Sequence, residues 1–365
     1  LNDLDFQNYT TRRIGVGYRY FHGVIDFQGY TMKQATAKTD GTSNTAYYRI
    51  HRIENDAVLK NLVLDVQLNN KNLNDSVYGF VQYNYGTIEN VIVNITDTKE
   101  SQMPQKLYGL LTYYNGLKGK IRNFVVKLEN DLHYYAASAV LARENYGLIE
   151  NGYVYGGDVI VDFALTSGSN RELGILTRYS GPLARINHVF MDVSYQFPLN
   201  NTTYDKGGIM VYSNAGRIEN SYVIGDTNIN LPDIGPIIQT AGGTSKLDNV
   251  YYFSDYIYTS KIQDKASFSS LHDVSFQQNV LGDGFNIEEM ISLGYFPQVK
   301  FSSNKMPSQD FVELPSLSDS DYADIVHMDV VENNIDSAKI KVTVDNPYGE
   351  DVTEIVISNL STHID

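Results

Sequence analysis

Short apolar runs alternate with polar punctuation along this chain, and one phrase recurs. "NYGTIENVIVNI" begins at residue 84, "NYGLIENGYVYG" at 145 and "NAGRIENSYVIG" at 214. Aligning on the residue that follows the Ile-x pair gives Asn61, Asn90, Asn123, Asn151, His188, Asn220 and Asn249, separated by 28 to 37 residues. Two positions before each anchor the residue is apolar (Leu59, Ile88, Ile121, Ile149, Ile186, Ile218, Leu247), and the residue immediately before it is polar. The first and third residues after the anchor are mostly apolar. This pattern breaks the strict alternation of a strand, so the chain turns a corner at the anchor. Asn suits a corner because it tolerates positive φ and its amide bonds to local backbone; His is another residue found there.

A second signal precedes the later anchors: "YGFV" at 78–81, "YGLL" at 108–111, "LGIL" at 173–176 and "GGIM" at 207–210. Each repeat therefore predicts about two short strands and a turn, in β-branched and Tyr-rich sequence punctuated by Gly and Asn. Stacked repeats of this length give an all-β fold, a parallel β-helix (solenoid) of about seven coils, with the anchors as a structural corner ladder.

Composition divides the chain into five parts. Residues 1–40 read as an entry coil or cap and 41–254 as the solenoid repeats. Residues 255–300 carry the only short helical patterns and are expected to close the open end of the stack. Residues 301–321, rich in Ser, Pro and Asp, read as a linker. Residues 322–365 hold three alternating strands, with "NPYG" as a turn, and read as the start of a small β-sandwich-like module. The chain opens without Met and ends in mid-pattern, which reads as a piece of a longer protein.

Charge narrows the partners. A formal net charge of −15 repels phosphate backbones and anionic lipid, so nucleic acid is not an expected partner. No run approaches the ~18 apolar residues of a spanning helix, so direct membrane insertion is not expected either. With no cysteine there is neither a disulfide nor a thiolate metal site.

The repeats resemble the GLUG-type repeats of bacterial surface proteins. The stretch "LGYFPQVKFSSNKMPSQDFVELP" at 293–315 and "AKIKVTVDNPYGEDVTEIVISNL" at 338–360 resemble the non-catalytic N-terminal region of streptococcal IgA1-specific zinc metalloendopeptidases and related surface zinc metalloproteases. That resemblance implies a recognition or spacer domain of a secreted or cell-wall-attached bacterial protease. Its implied partner is a host glycoprotein such as immunoglobulin A1, or other domains of the same protein. The alternative is an adhesin domain that binds host protein or glycan with no enzyme attached. The catalytic motif of such a protease, His-Glu-x-x-His, is absent, because no two of His22, His51, His133, His188, His272, His327 and His363 are four apart. Zinc is therefore expected only in the parent, with no catalytic residue, metal site or cofactor in this chain.

Other chemistry is weak. Four residues past each anchor stand Asp65, Asn94, Lys127, Tyr155, Asp192, Ile224 and Phe253, which is no carboxylate cluster. Asp158 and Asp162 read as turn-capping residues. The outward positions of the second half form an aromatic stripe instead: Tyr153, Tyr155, Phe190, Tyr222, Tyr251 and Phe253. A lone solenoid would leave this stripe wet, which predicts an interface, either with the 255–300 segment or a neighbouring domain, or with a protein or glycan ligand.

Overall fold

The computed structural model describes residues 4–5, 20–35, 49–68, 76–97, 106–134, 139–161, 171–197, 205–225, 234–254, 264–316, 324–334, 337–345 and 355–358. The repeats coil into the parallel β-solenoid that their spacing predicts. Seven long strands carry the anchors: Val58–Leu68, Thr87–Asp97, Lys120–Leu128, Leu148–Gly156, Arg185–Asp192, Arg217–Ile224 and Lys246–Phe253. They pair in parallel, in sequence order, to form one wall of the coil, which we call the anchor sheet. Ile88, Ile121, Ile149, Ile186 and Ile218 lie in one register row. Burial of this row and of the matching Leu59 is complete.

Every anchor has left-handed backbone, with φ from 48° at Asn220 to 56° at Asn61, and His188 at 52°. One αL residue inside an otherwise extended strand reverses the alternation, so residues on both sides of the corner can point into one core. The entry segment repeats the device in altered form. Val24–Asp26 and Thr31–Ala35 both pair with Val58–Leu68, and Gln28, at φ 57°, and Gly29, at φ 79°, supply the left-handed backbone between them.

The second wall is a sheet of four-residue strands: Ile50–Ile53, Val81–Asn84, Thr112–Asn115, Ala142–Asn145, Thr177–Ser180, Val211–Asn214 and Ile238–Ala241. In the first six, both end residues are buried and the middle two are half-exposed. Shorter parallel pairings, such as Leu132–Tyr134 with Val159–Val161 and Arg171–Gly174 with Asp205–Gly208, complete the coil. Val, Ile and Leu from all walls fill the interior, with Phe80, Phe124 and Tyr195 among the largest fully buried side chains.

Two amide ladders hold successive coils in register. On the anchor sheet, Asn61 Nδ2 donates to Asp26 Oδ1 (2.8 Å), Asn90 to Asn61 (2.9 Å), Asn123 to Asn90 (3.2 Å) and Asn151 to Asn123 (3.2 Å). Asp26 is an acceptor only, and this fixes the direction of the ladder from its first rung. The ladder resumes past His188, where Asn220 donates to Asn187 (3.0 Å) and Asn249 to Asn220 (2.9 Å). The second ladder runs the other way along the ends of the short strands: Asn84 Nδ2 donates to Asn115 Oδ1, and Asn115 to Asn145, both at 2.8 Å. Its polarity is set locally, because Asn84 Oδ1 already accepts from the Gly86 N–H (3.1 Å) and Asn145 Oδ1 from the Gly147 N–H (3.2 Å).

The segment expected to close the end of the stack instead runs back along its side. Asp264–Lys265 adds one short rung beside Tyr251 and Tyr252. The chain then forms the 3-10 turn Phe268–His272 and the helices Val274–Leu281 and Glu288–Ser292. Asp273 caps the first helix through the N–H groups of Ser275 and Phe276. Residues 301–316 are not a linker, because Val312 and Leu314 pack into the same apolar layer and Gln309 brackets Val299 through both backbone groups. We call 264–316 the clasp. The C-terminal strands Asp324–Asn334, Ser337–Asp345 and Ile355–Ser358 form an antiparallel sheet, in keeping with the three expected strands; the expected "NPYG" turn lies outside the described residues.

The second ladder breaks at Ser180, whose Oγ and the neighbouring Asn145 Nδ2 are both buried without a partner. The cause lies four residues on, at the end of the following turn. Wherever Asn ends a short strand, Gly ends the following turn (Asn84 with Gly86, Asn115 with Gly119, Asn145 with Gly147, Asn214 with Gly216), and a methyl on Gly119 would collide with Asn115 Oδ1. Ser180 is followed by Ala184 at the equivalent position. Ser180→Asn alone is therefore expected to leave stability level or lower it, whereas Ser180→Asn with Ala184→Gly should raise it by about 1 kcal/mol by restoring the rung. Urea unfolding of the two single variants and the double variant measures this coupling, and strict additivity would refute it.

Candidate ligand-binding surface

The predicted aromatic stripe exists as a row, and the clasp covers it. Tyr153, Phe190 and Tyr222 are register partners in adjacent strands. Phe190 stacks on Tyr153 at 3.9 Å between centroids and on Tyr222 at 5.1 Å. Phe285 and Phe296 of the clasp close over Phe190 at 5.7 and 5.8 Å. Phe276 of its first helix meets Tyr251 at 5.2 Å and Phe253 at 5.9 Å. Phe190, Tyr222 and Phe253 are fully buried, Tyr153 and Tyr155 nearly so, and Tyr251 partly. The six residues thus face the chain's own clasp and are not a surface open to an external ligand. Hydrophobic burial explains this, since each ring hidden stabilises the folded state by roughly 1.5–3 kcal/mol.

Polar contacts lock the clasp to the corner ladder. Asn249 Nδ2 donates to the Asn279 carbonyl (3.2 Å), and His188 Nδ1 bonds to the Val280 carbonyl (2.8 Å). Ser302 bonds to Asn90 through its N–H and hydroxyl, each 3.2 Å from Asn90 Oδ1. Clasp residues 279, 280 and 302 therefore meet the coils of anchors 249, 188 and 90 in turn, so the clasp runs opposite to the direction of stacking. His188 leaves the amide ladder because its ring is spent on the clasp.

Near Pro307–Asp310 the clasp leaves a cavity of about 290 Å³ over Val63, Ile92 and Val125. Its charges pair internally. Lys127 Nζ lies 2.8 Å from Asp310 and 2.9 Å from Glu129, and the Tyr155 hydroxyl donates to Asp310 (2.9 Å). Lys127 and the Tyr155 hydroxyl hold the Asp310 carboxyl below its usual range. Burial and the nearby Asp158 push the Asp192 carboxyl up, to about 6. Asp158 is itself engaged, accepting from Gln196 Nε2 (2.9 Å), while Asp162 lies outside the described residues.

A different surface carries half-exposed aromatics. On the second sheet Tyr83 and Tyr114 share a register row with Arg52, Glu144 and Tyr179. Tyr85 and Tyr146 follow in the adjoining turns. The rings form a continuous ribbon: His51 to Tyr83 (5.5 Å), Tyr83 to Tyr114 (6.0 Å), Tyr114 to Tyr146 (5.0 Å) and Tyr146 to Tyr179 (5.6 Å). The Arg52 guanidinium lies over Tyr85, 4.4 Å from its centroid. Partial desolvation raises the phenol pKa of Tyr114 and Tyr146. These tyrosines escape the sequence reading because they flank the repeat phrase at a distance from the anchor that changes with turn length. The signal was present in "VQYNYG", "LTYYNG", "ARENYG" and "LTRYSG", which align on the residue that ends each short strand.

Among the described residues no group of three His, Cys, Asp or Glu is placed to hold a metal ion, and no helix is long and apolar enough to cross a membrane. The Asp192 carboxyl generates a pH prediction. Its folded-state pKa is raised, so between pH ~4 and ~6 the native state keeps a proton that the unfolded chain releases, and this contribution to stability falls as pH rises. Asp192→Asn should remove that fall and stabilise the protein by about 1–2 kcal/mol at pH 7, with no gain at pH 4. Unfolding curves at the two pH values check this; an equal effect at both would contradict it. Comparison with family models, with curated proteins and with solved structures finds no match for this chain.

Proposed function

We propose that this chain is a β-solenoid binding domain of the adhesin type, which presents the tyrosine ribbon of its second sheet to a host protein or glycan. The observation that carries the reading is the division of the two aromatic rows. One is sealed under the clasp, and the other stays half-exposed across five coils. Tyr is suited to binding surfaces because it offers large rigid contact area with a polar tip. The clasp supports the reading from the other side, since it packs on the anchor sheet and leaves the ribbon on the second sheet half-exposed.

The sequence resemblance of 293–315 and 338–360 favours a second reading, the recognition arm of a secreted or wall-anchored zinc metalloprotease with immunoglobulin A1 as partner. Under it zinc and catalysis belong to another part of the parent.

One binding experiment addresses both. The chain, and a Tyr114→Ser/Tyr146→Ser variant checked for unchanged melting, are presented to immobilised glycans, matrix glycoproteins, and immunoglobulin A1 with and without its hinge. The adhesin reading expects wild-type binding to a glycan or matrix protein that falls at least about tenfold in the variant, the loss of ~1.4 kcal/mol. Hinge-dependent binding to immunoglobulin A1 would favour the protease arm, and wild-type binding that the variant retains would remove the ribbon from the account.

A further inference from the structure

The turns that join the second sheet to the anchor sheet alternate strictly in length. Four residues bridge the sheets at 54–57, 116–119, 181–184 and 242–245, and two residues at 85–86, 146–147 and 215–216. The four-residue turns close on themselves, with Ala57 N–H to Glu54 O, Gly119 N–H to Gly116 O, Ala184 N–H to Gly181 O and Ser245 N–H to Gly242 O, at 2.8 to 3.0 Å. Their extra residues stand out from the wall, and Leu117 and Leu183 at the tips are 61% and 77% exposed.

The alternation organises the aromatics. The first turn position reads Tyr85, Gly116, Tyr146, Gly181, Ala215 and Gly242 in successive coils. The Tyr85 ring occupies the space where a side chain on Gly116 would stand, and the Tyr146 ring does the same at Gly181. Each corner ring therefore lies across two coils, a repeat of ~9.6 Å at the usual strand spacing. That is close to the length of two pyranose units in an extended β-1,4-linked chain, in which every second sugar turns the same C–H face to one side.

Charge selects among such chains. Arg52 pairs with Glu54 (2.7 Å) and Arg178 with Glu172, while Arg143 lies over the Tyr108 ring and donates to the Tyr113 hydroxyl, so two of these three cations are balanced by a carboxylate and the third is engaged by tyrosines. The whole chain carries −15, which repels a polyanion. Glu144, in register between Tyr114 and Tyr179, offers hydroxyl groups an acceptor between rings. Resting on the reading of the ribbon as the binding face, we infer that its ligand is an uncharged, extended β-linked glycan lying along the solenoid axis, with one corner ring, Tyr85 or Tyr146, per two sugars and the Leu117 and Leu183 tips as a rim.

The test is calorimetric titration of the whole chain with cello- and chito-oligosaccharides of two, four and six sugars, with a hyaluronan hexasaccharide as the anionic counterpart. Affinity should rise about tenfold or more from two to four sugars and change little with salt. Tyr146→Ser should abolish that rise. Gly181→Val, which keeps every tyrosine but pushes the Tyr146 ring aside, should weaken the tetrasaccharide by a similar factor without lowering the melting temperature below that of Tyr146→Ser. Tighter binding of hyaluronan, or equal affinity for two and six sugars, would overturn the inference. Ribbon-dependent binding to a protein with none to these glycans would overturn it and leave the ribbon as the binding face; binding to neither class would overturn both.

Discussion

One residue per coil held at positive φ is the constraint on which the rest of this structure depends. A left-handed residue costs an ordinary side chain roughly 1–2 kcal/mol, and the chain meets that cost seven times between Asn61 and Asn249. Asn lowers the local cost and then uses its amide to bond to the next coil, so the residue that bends the strand also sets the register of stacking. The second ladder, buried at Asn84, Asn115 and Asn145, ties the coils at the other wall with opposite polarity and without a left-handed backbone. Buried amides of this kind are stabilising only when fully paired, which is why the unpaired rung at Ser180 stands out.

The clasp follows from the corner. Turning the strand at the anchor places Val63, Ile92, Val125, Tyr153, Phe190, Tyr222 and Phe253 on the outer side, where water would otherwise meet them. The clasp buries that row and reads the ladder as it passes, through Ser302 at Asn90 and through the Val280 carbonyl at His188. A His at the anchor position is the local signature of this contact. It keeps the left-handed backbone while exchanging an inter-coil hydrogen bond for one to the clasp. The opposite wall has no such cover among the described clasp contacts, and there the aromatic rings remain half-exposed.

The solenoid was legible in the sequence because its corner has a fixed chemistry: an apolar residue two before the Asn, another one after it, and the same phrase returning at 84, 145 and 214. The placement of 264–316 was not legible, because helix propensity and Ser or Pro content describe local conformation and carry no information on which wall a segment packs against. Residues 301–316 look like a linker by composition and are held by Gln309, Val312 and Leu314, three contacts that depend on the folded stripe beneath them. The ribbon was hidden for a different reason. Its tyrosines keep register with the end of the short strand, six or eight residues before the anchor according to turn length, so alignment on the anchor smears them.

Function, on this account, is a consequence of which wall is left open, and that division in turn requires the corner. Asn123 is the best place to test the corner, because it is half-buried and its described hydrogen bonds are those of the ladder. The decisive measurement is the unfolding free energy of Asn123→Gly beside Asn123→Ala. The account predicts that Gly, which accepts positive φ freely, loses only the ladder bonds and stays about 1 kcal/mol more stable than Ala, which loses both. An Ala variant as stable as the Gly variant would show that left-handed backbone at the corner is not the constraint on which this solenoid rests.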